Sequence, residues 1–255
     1  AAVAWLGGTF FIGETPTVEG YSYTFIMAFV LTSIGLAMLV VIREPEPPTV
    51  RAPTPLGSRL RQIPGLLRED PAFARYVGAR GLATMGRMAA PFYILFAGTS
   101  LGLTGSTLGL LTAAFTLSGT FSNLAWGALA DRKGFRLAFL ASIALWIAST
   151  GALMVSSGLL PTVLVFIGIG AAFQGFQAAS MNLTLEFGRR DDLPMRIALA
   201  NTASELAGTI GPLLGGALAT ALGYDAVFYA SMAFLIAGGG LVLRFVPEPR
   251  KQGAA

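Results

Sequence analysis

One arginine inside a long apolar segment is the residue of this sequence best placed to do chemistry. Arg87 lies seven positions after Arg80 and eleven before Gly98, near the middle of its segment. An arginine at the centre of a hydrocarbon layer costs roughly 2.5–3.5 kcal/mol on insertion scales, so it needs a carboxylate, backbone carbonyls or an anionic ligand as its partner. We therefore predict that Arg87 contacts a bound ligand or ion. The alternatives are a structural ion pair and an arginine that reaches the membrane interface.

Glu205 is a second charged residue inside an apolar segment, the one at residues 197–222. It is expected about two helical turns from one end of that segment. A carboxylate held in such surroundings can take up and release a proton, which makes Glu205 a candidate proton carrier. Pairing with Arg87 is possible in this arrangement, and pairing with charges at the membrane surface is the alternative.

Three amides lie on a third segment, residues 159–186. Gln174, Gln177 and Met181 are spaced i, i+3, i+7 and share one helical face, and Asn182 is one position further. These amides suit either hydrogen bonds to a ligand across a cavity or hydrogen bonds between neighbouring helices. Both interpretations are kept.

The composition is that of an integral membrane protein. Hydrophobic residues make up 54% of the 255 residues and charged residues only 12%, too few to cover a soluble domain. His and Cys are absent, which excludes imidazole and thiol catalysis, disulfides and the usual zinc sites. A phosphate-binding loop of the P-loop type is also absent. The sequence thus predicts no cofactor. The net charge of +4 lies at membrane ends and not in a nucleic-acid-binding surface.

Eight apolar segments, all predicted to be helices, must position these residues. They are residues 1–13, 21–42, 73–98, 104–130, 136–157, 159–186, 197–222 and 225–246. All but the first are long enough to cross a ~30 Å hydrocarbon layer. Lys and Arg are concentrated in the loops at 43–72, 131–136 and 187–196 and in the C-terminal tail, which predicts that these all lie in the cytoplasm. Residues 56–67 are compatible with a short helix on the membrane surface.

The segments also differ in polarity. Those at 21–42, 136–157 and 225–246 carry no charge at hydrocarbon depth, and we predict that they face lipid. The other long segments contain polar groups, which are expected to face protein or a water-filled cavity.

A short charged turn, GALADRKGFR at residues 127–136, separates two of these segments. Gly127 is predicted to let a neighbouring helix come close, and Gly134 to permit the sharp reversal. Asp131 needs a positive partner beside the bilayer, either the N–H groups at a helix start or the adjacent arginines.

This turn resembles the signature loop of the major facilitator superfamily. The matching positions are Gly127, Leu129, Ala130, Asp131, Arg132, Gly134 and Arg136. Phe135 departs from the basic residue that the family usually carries there.

An internal repeat supports the same resemblance. Leu6-Gly7-Gly8 and Pro45-Glu46-Pro47 recur as Leu214-Gly215-Gly216 and Pro247-Glu248-Pro249. We therefore predict an all-α polytopic membrane protein of the major facilitator fold, with eight transmembrane helices of an expected twelve. The predicted domains are the last two helices of a truncated N-terminal six-helix bundle (1–42), a cytoplasmic linker (43–72), a complete C-terminal six-helix bundle (73–247) and a cytoplasmic tail (248–255).

The resemblance further implies a charge network that holds one conformation and breaks on opening. Its expected members are Glu186, Arg189, Arg190 and Arg196 together with Asp131 and Arg132. Solvated anchors at the membrane surface are the alternative.

The resemblance implies a secondary transporter, not an enzyme, that moves a small organic molecule by alternating access in the bacterial cytoplasmic membrane. Its partners would be the lipid bilayer, the substrate and protons. We predict efflux coupled to protons, because the cavity candidates mix apolar and polar groups with few charges. Against it, Val3 and Ala4 stand where antiporters of the family often carry a Gly-Pro motif. The alternatives are an uptake symporter or uniporter for an organic anion or sugar-like solute, a polytopic membrane enzyme, or a membrane scaffold.

Overall fold

A computed structural model describes residues 18–40, 56–102, 104–188 and 192–248, and within these ranges the chain is helical, with no strand. The helices are α1 (Val18–Val40), α2 (Leu56–Glu69), α3 (Pro71–Met85), α4 (Ala90–Leu101), α5 (Gly105–Lys133), α6 (Phe135–Val155), α7 (Leu159–Leu185), α8 (Leu193–Leu222) and α9 (Tyr224–Phe245). A 3₁₀ turn, Gly86–Ala89, joins α3 to α4. The all-α prediction is confirmed.

Six of the described helices, α1 and α5 to α9, are long and apolar enough to cross a membrane. The segment predicted at 73–98 is formed by α3, the 3₁₀ turn and α4 in succession. The short helix predicted at 56–67 corresponds to α2. The first predicted segment, residues 1–13, lies outside the described residues, as do residues 43–55 of the predicted linker.

The 3₁₀ turn in the middle of this segment follows from Pro91. Proline has no N–H, so the carbonyl of Arg87 cannot receive the α-helical bond from residue 91. The N–H of Ala90 bonds to the Arg87 carbonyl instead, and the carbonyl of Gly86 takes part in the tighter i→i+3 bonding of the 3₁₀ turn. Ser231 of α9 donates its hydroxyl to that carbonyl at 2.8 Å. The neighbouring helix therefore adds a second hydrogen bond at the break.

The core consists of two hydrophobic clusters stacked along the bundle. One surrounds Phe139, Trp146 and Phe176 near the signature turn, and the other surrounds Tyr93 and Phe228. The indole N–H of Trp146 donates to the Tyr93 hydroxyl at 2.9 Å and so joins the two clusters.

Burial differs from the prediction for two of the three uniformly apolar helices. In their membrane-spanning windows, α6 and α9 are 44% and 39% buried, whereas α1 is 0% buried and the more polar α5 and α8 are only 17% and 11% buried. Helices α6 and α9 therefore contribute much of the core, because their aromatic and small side chains pack against α3 and α7. The polar helices α5 and α8 leave one face uncovered by the described residues.

Candidate functional site

Arg87 and Glu205 lie together at the uncovered face. Nη1 of Arg87, on the 3₁₀ turn, is 3.9 Å from Oε1 of Glu205 on α8. Their side chains are 33% and 69% exposed, so this is a loose and accessible ion pair. Gly208, three residues after Glu205, makes room for it, since a Cβ there would lie 3.3 Å from Nη1 of Arg87.

The same guanidinium also contacts α7. Its central carbon lies 5.6 Å from the centre of the Phe173 ring, within the range of a cation–π interaction. Arg87 thus draws charge compensation from a carboxylate on one helix and an aromatic face on another.

Helix α8 extends beyond the segment predicted at 197–222. Because α8 begins at Leu193, four residues earlier than the predicted segment, Glu205 is twelve residues into the helix. This corresponds to about 18 Å along the axis, or more than three turns. Arg87 is sixteen residues from the start of α3, so the two charges reach a similar depth.

The three amides do not act as one group. Gln174 is half-buried beside Phe173, and Gln177 is exposed one turn further along α7. Asn182 is half-buried and donates its amide to the Ala178 carbonyl of its own helix at 2.9 Å. It lines a separate cavity of about 240 Å³ next to the signature turn, away from Arg87.

The signature turn packs against the end of α9. Gly134 has φ +90°, which confirms that it makes the sharp reversal, and the Glu248 carboxylate lies directly against it. Arg136 donates from Nη2 to the Leu243 carbonyl at 2.7 Å. A Cβ added to Gly127 would meet nothing within 4 Å among the described residues, so no described helix approaches it closely.

Only some members of the expected charge network lie among the described residues. Arg189 and Arg190 lie outside the described residues. Asp131 and Arg132 are exposed, and neither forms an ion pair with another residue in the described part of the chain. Glu186 is half-buried at the end of α7. Arg196 is buried and bonded instead to Asp70 of the turn between α2 and α3, at 2.6 Å.

The structure also contains a buried polar cluster around Arg80 that the sequence analysis did not predict. Arg80 is only 5% exposed and donates from Nη1 to Thr184 and from Nη2 to Asn201, both at 3.0 Å. The sequence contains one indication of this cluster, the helical spacing of its polar residues. Arg80 and Arg87 are seven positions apart, and Asn201 and Glu205 are four apart. These spacings place each pair on one helical face. Two arginines of one segment are thus matched by two polar residues of α8.

No group of three or more His, Cys, Asp or Glu side chains that could hold a metal ion occurs among the residues described. The described residues around Arg87 are thus charged, amide and aromatic side chains.

Two comparisons bear on these residues. Residues 76–255 match the family model described as Major Facilitator Superfamily, a stretch that contains Arg80, Arg87, Glu205 and the whole signature turn. No curated protein matches the chain.

Proposed function

The chain belongs to the Major Facilitator Superfamily and is a multi-pass membrane transporter, and we propose that Arg87 and Glu205 are the pair that couples its substrate to protons. In this proposal the protein is a secondary transporter of a small organic molecule that works by alternating access. The observation that carries the proposal is the loose, partly exposed ion pair between two predicted membrane segments, with 3.9 Å between Nη1 of Arg87 and Oε1 of Glu205.

The coupling follows from electrostatics. While Glu205 is ionised, it compensates the charge of Arg87. When Glu205 takes up a proton, the guanidinium loses its carboxylate partner and becomes the stronger site for an anionic group. Protonation of Glu205 and binding of an anion at Arg87 therefore favour each other, and this coupling is reciprocal.

This sign of coupling favours an anion that travels with a proton. The uptake symporter for an organic anion is accordingly our first candidate. Efflux coupled to protons, predicted from composition, is the second: there an organic cation would compete with the proton for Glu205. The 69% exposure of Glu205 supports this second candidate, because an exposed carboxylate is also accessible to a cation.

We further propose that residues 73–247 form the C-terminal six-helix bundle and that residues 1–42 belong to the preceding bundle, with 43–72 as linker. The linker, the turn at 131–136 and the tail would lie in the cytoplasm of a bacterial cell. The distribution of Lys and Arg supports this orientation. Accessibility labelling of single cysteines at Lys133 and Gly158 should report opposite sides of the membrane.

The test of coupling uses the full-length protein in proteoliposomes with an inside-alkaline pH gradient. We expect radiolabelled benzoate or 4-hydroxybenzoate to accumulate faster than it does by passive entry into protein-free vesicles, and a protonophore to abolish this accumulation. Glu205→Gln should keep exchange of labelled for unlabelled substrate but lose accumulation, because a permanently neutral side chain imitates only the protonated state. Arg87→Lys should lose both, while Arg61→Lys, an exposed arginine of α2, should lose neither.

The outcomes separate the candidates. Accumulation by Glu205→Gln equal to that of the native protein contradicts the coupling role. Absence of accumulation of either anion, together with gradient-driven extrusion of ethidium that Glu205→Gln abolishes, selects efflux.

A further inference from the structure

A groove between α5 and α7 lies next to the Arg87–Glu205 pair. Its side-chain walls are Phe115, Thr116, Thr120 and Asn123 on α5 and Phe173 and Gln174 on α7, and its volume is about 190 Å³. None of its lining residues is charged. Phe173 belongs to both places, because it lines the groove and its ring faces the Arg87 guanidinium. The groove and the ion pair therefore lie next to each other, with Phe173 between them.

The groove exists because the two helices touch through glycines. A Cβ on Gly170 would collide with the carbonyl of Phe115, and a Cβ on Gly119 would lie 3.3 Å from the carbonyl of Gly170. The backbones are thus in direct contact at this level. The side chains that flank the contact diverge and leave the space between them open.

The threonines of the groove present acceptors. Thr116 donates its hydroxyl hydrogen to the Thr112 carbonyl at 2.8 Å, and Thr120 donates to the Thr116 carbonyl at 2.9 Å. Each hydroxyl already donates its hydrogen within the helix, so each Oγ1 can only accept a further hydrogen bond. A ligand that bonds to these oxygens must therefore supply an N–H or O–H group.

The amides and the aromatic rings complete the recognition surface. Asn123 and Gln174 make no hydrogen bond to any other described residue, so their amides are available to a ligand in the described part of the protein. Phe115 and Phe173 lie with ring centres 6.0 Å apart and tilted by 56°, which leaves apolar faces for a flat group to pack on. The volume is that of about six molecules of liquid water, enough for a single ring with small substituents.

We propose that this groove is the second half of the substrate site, and that the substrate is a planar organic anion with a hydroxyl or amino donor. Its anionic group binds Arg87, its ring packs against Phe173 and Phe115, and its donor bonds to Thr116 or Thr120. This inference rests on the proposed function, because it assumes that Arg87 receives the anionic group.

The test is a binding measurement on the full-length protein with three matched probes. 4-Hydroxybenzoate has the anion, the ring and the donor; 4-fluorobenzoate lacks the donor; 4-hydroxybenzamide lacks the charge. We expect 4-hydroxybenzoate to bind about three- to tenfold more tightly than 4-fluorobenzoate, the effect of one hydrogen bond between neutral partners. 4-Hydroxybenzamide should bind more weakly than 4-hydroxybenzoate in the native protein, and Arg87→Met should remove that difference.

The double variant Thr116→Val/Thr120→Val keeps the shape of both side chains and removes both acceptors. It should abolish the preference for 4-hydroxybenzoate while leaving 4-fluorobenzoate affinity within about twofold. The control is Thr220→Val, a threonine of α8 that donates to its own helix at 2.9 Å in the same way but lies away from the groove. It should leave the preference intact.

Equal binding of 4-hydroxybenzoate and 4-fluorobenzoate to the native protein, or a preference that survives in the double variant, would overturn the assignment of the groove. Failure of all three probes to bind would overturn the proposed substrate class. A failure of the coupling role is seen separately, in accumulation by Glu205→Gln, because the threonine variants should change selectivity and leave the dependence on the pH gradient unchanged.

Discussion

Nη1 of Arg196 lies 2.6 Å from Oδ2 of Asp70, and this ion pair joins the first turn of α8 to the residue that begins α3. The other carboxylate oxygen of Asp70 accepts the backbone N–H of Phe73 at 2.9 Å and so caps α3. The guanidinium of Arg196 lies 4.8 Å from the centre of the Phe73 ring. One carboxylate thus holds the starts of the two segments that carry Arg87 and Glu205.

Asp70→Asn should destabilise the protein strongly. Asparagine also caps helices well, so the cap is preserved while the buried Arg196 loses its counter-charge. We expect a loss of about 3–5 kcal/mol, seen as a lower melting temperature in detergent. Asp192→Asn, an exposed residue near the same end of α8 whose side chain makes no cap bond, is the control. Equal melting temperatures for the two variants would show that the ion pair contributes nothing.

Gly134→Ala should cost more stability than Gly158→Ala. Both glycines have positive φ, +90° and +85°, so each alanine is strained by about 1–3 kcal/mol. Only at Gly134 would the new Cβ also displace a neighbour, the Glu248 carboxylate, whereas nothing lies within 4 Å at Gly158. Thermal unfolding of the two variants measures the difference. If the losses match, the contact with Glu248 is energetically neutral.

Gly238→Ala and Gly240→Ala test the packing of α9 on α3. A Cβ on Gly238 would lie 2.6 Å from the Ala79 carbonyl and 2.7 Å from the Ala83 amide, and backbone atoms cannot move aside cheaply. We expect a loss of about 1–3 kcal/mol for Gly238→Ala. Gly240 has nothing within 4 Å among the described residues, so Gly240→Ala should be neutral or slightly stabilising. Unfolding of both variants at the native temperature would contradict the close packing of Gly238 on α3.

Ser231→Ala should loosen the 3₁₀ turn that positions Arg87. It removes the hydrogen bond that the buried Gly86 carbonyl accepts from α9, at a cost of about 0.5–1.5 kcal/mol. Ser142→Ala is the control, because Ser142 is equally buried but donates to Phe139 within its own helix. Substrate binding should also weaken in Ser231→Ala, since Arg87 is on the turn. Unchanged stability and binding would mean that the carbonyl finds another partner at no cost.

The sequence alone determined the helices and their approximate ends. Apolar segments long enough to cross a membrane, the reversal at Gly134 and the family signature are all properties of a contiguous stretch. They can be read without a partner, because hydropathy and the freedom of glycine to adopt positive φ are local. Even the break before Pro91 had a local cause, the missing N–H of proline.

Which partner each charge finds was decided only by the tertiary structure. Arg196 meets Asp70 across 126 positions, and Arg87 meets Glu205 from another segment, whereas the family resemblance had placed Arg196 in the signature-turn network. Such pairs depend on how far each helix is rotated and shifted against its neighbour. One residue of shift turns a side chain by about 100° around the axis and moves it about 1.5 Å along it. Composition constrains neither quantity, so candidate site residues could be named from the sequence but their contacts could not.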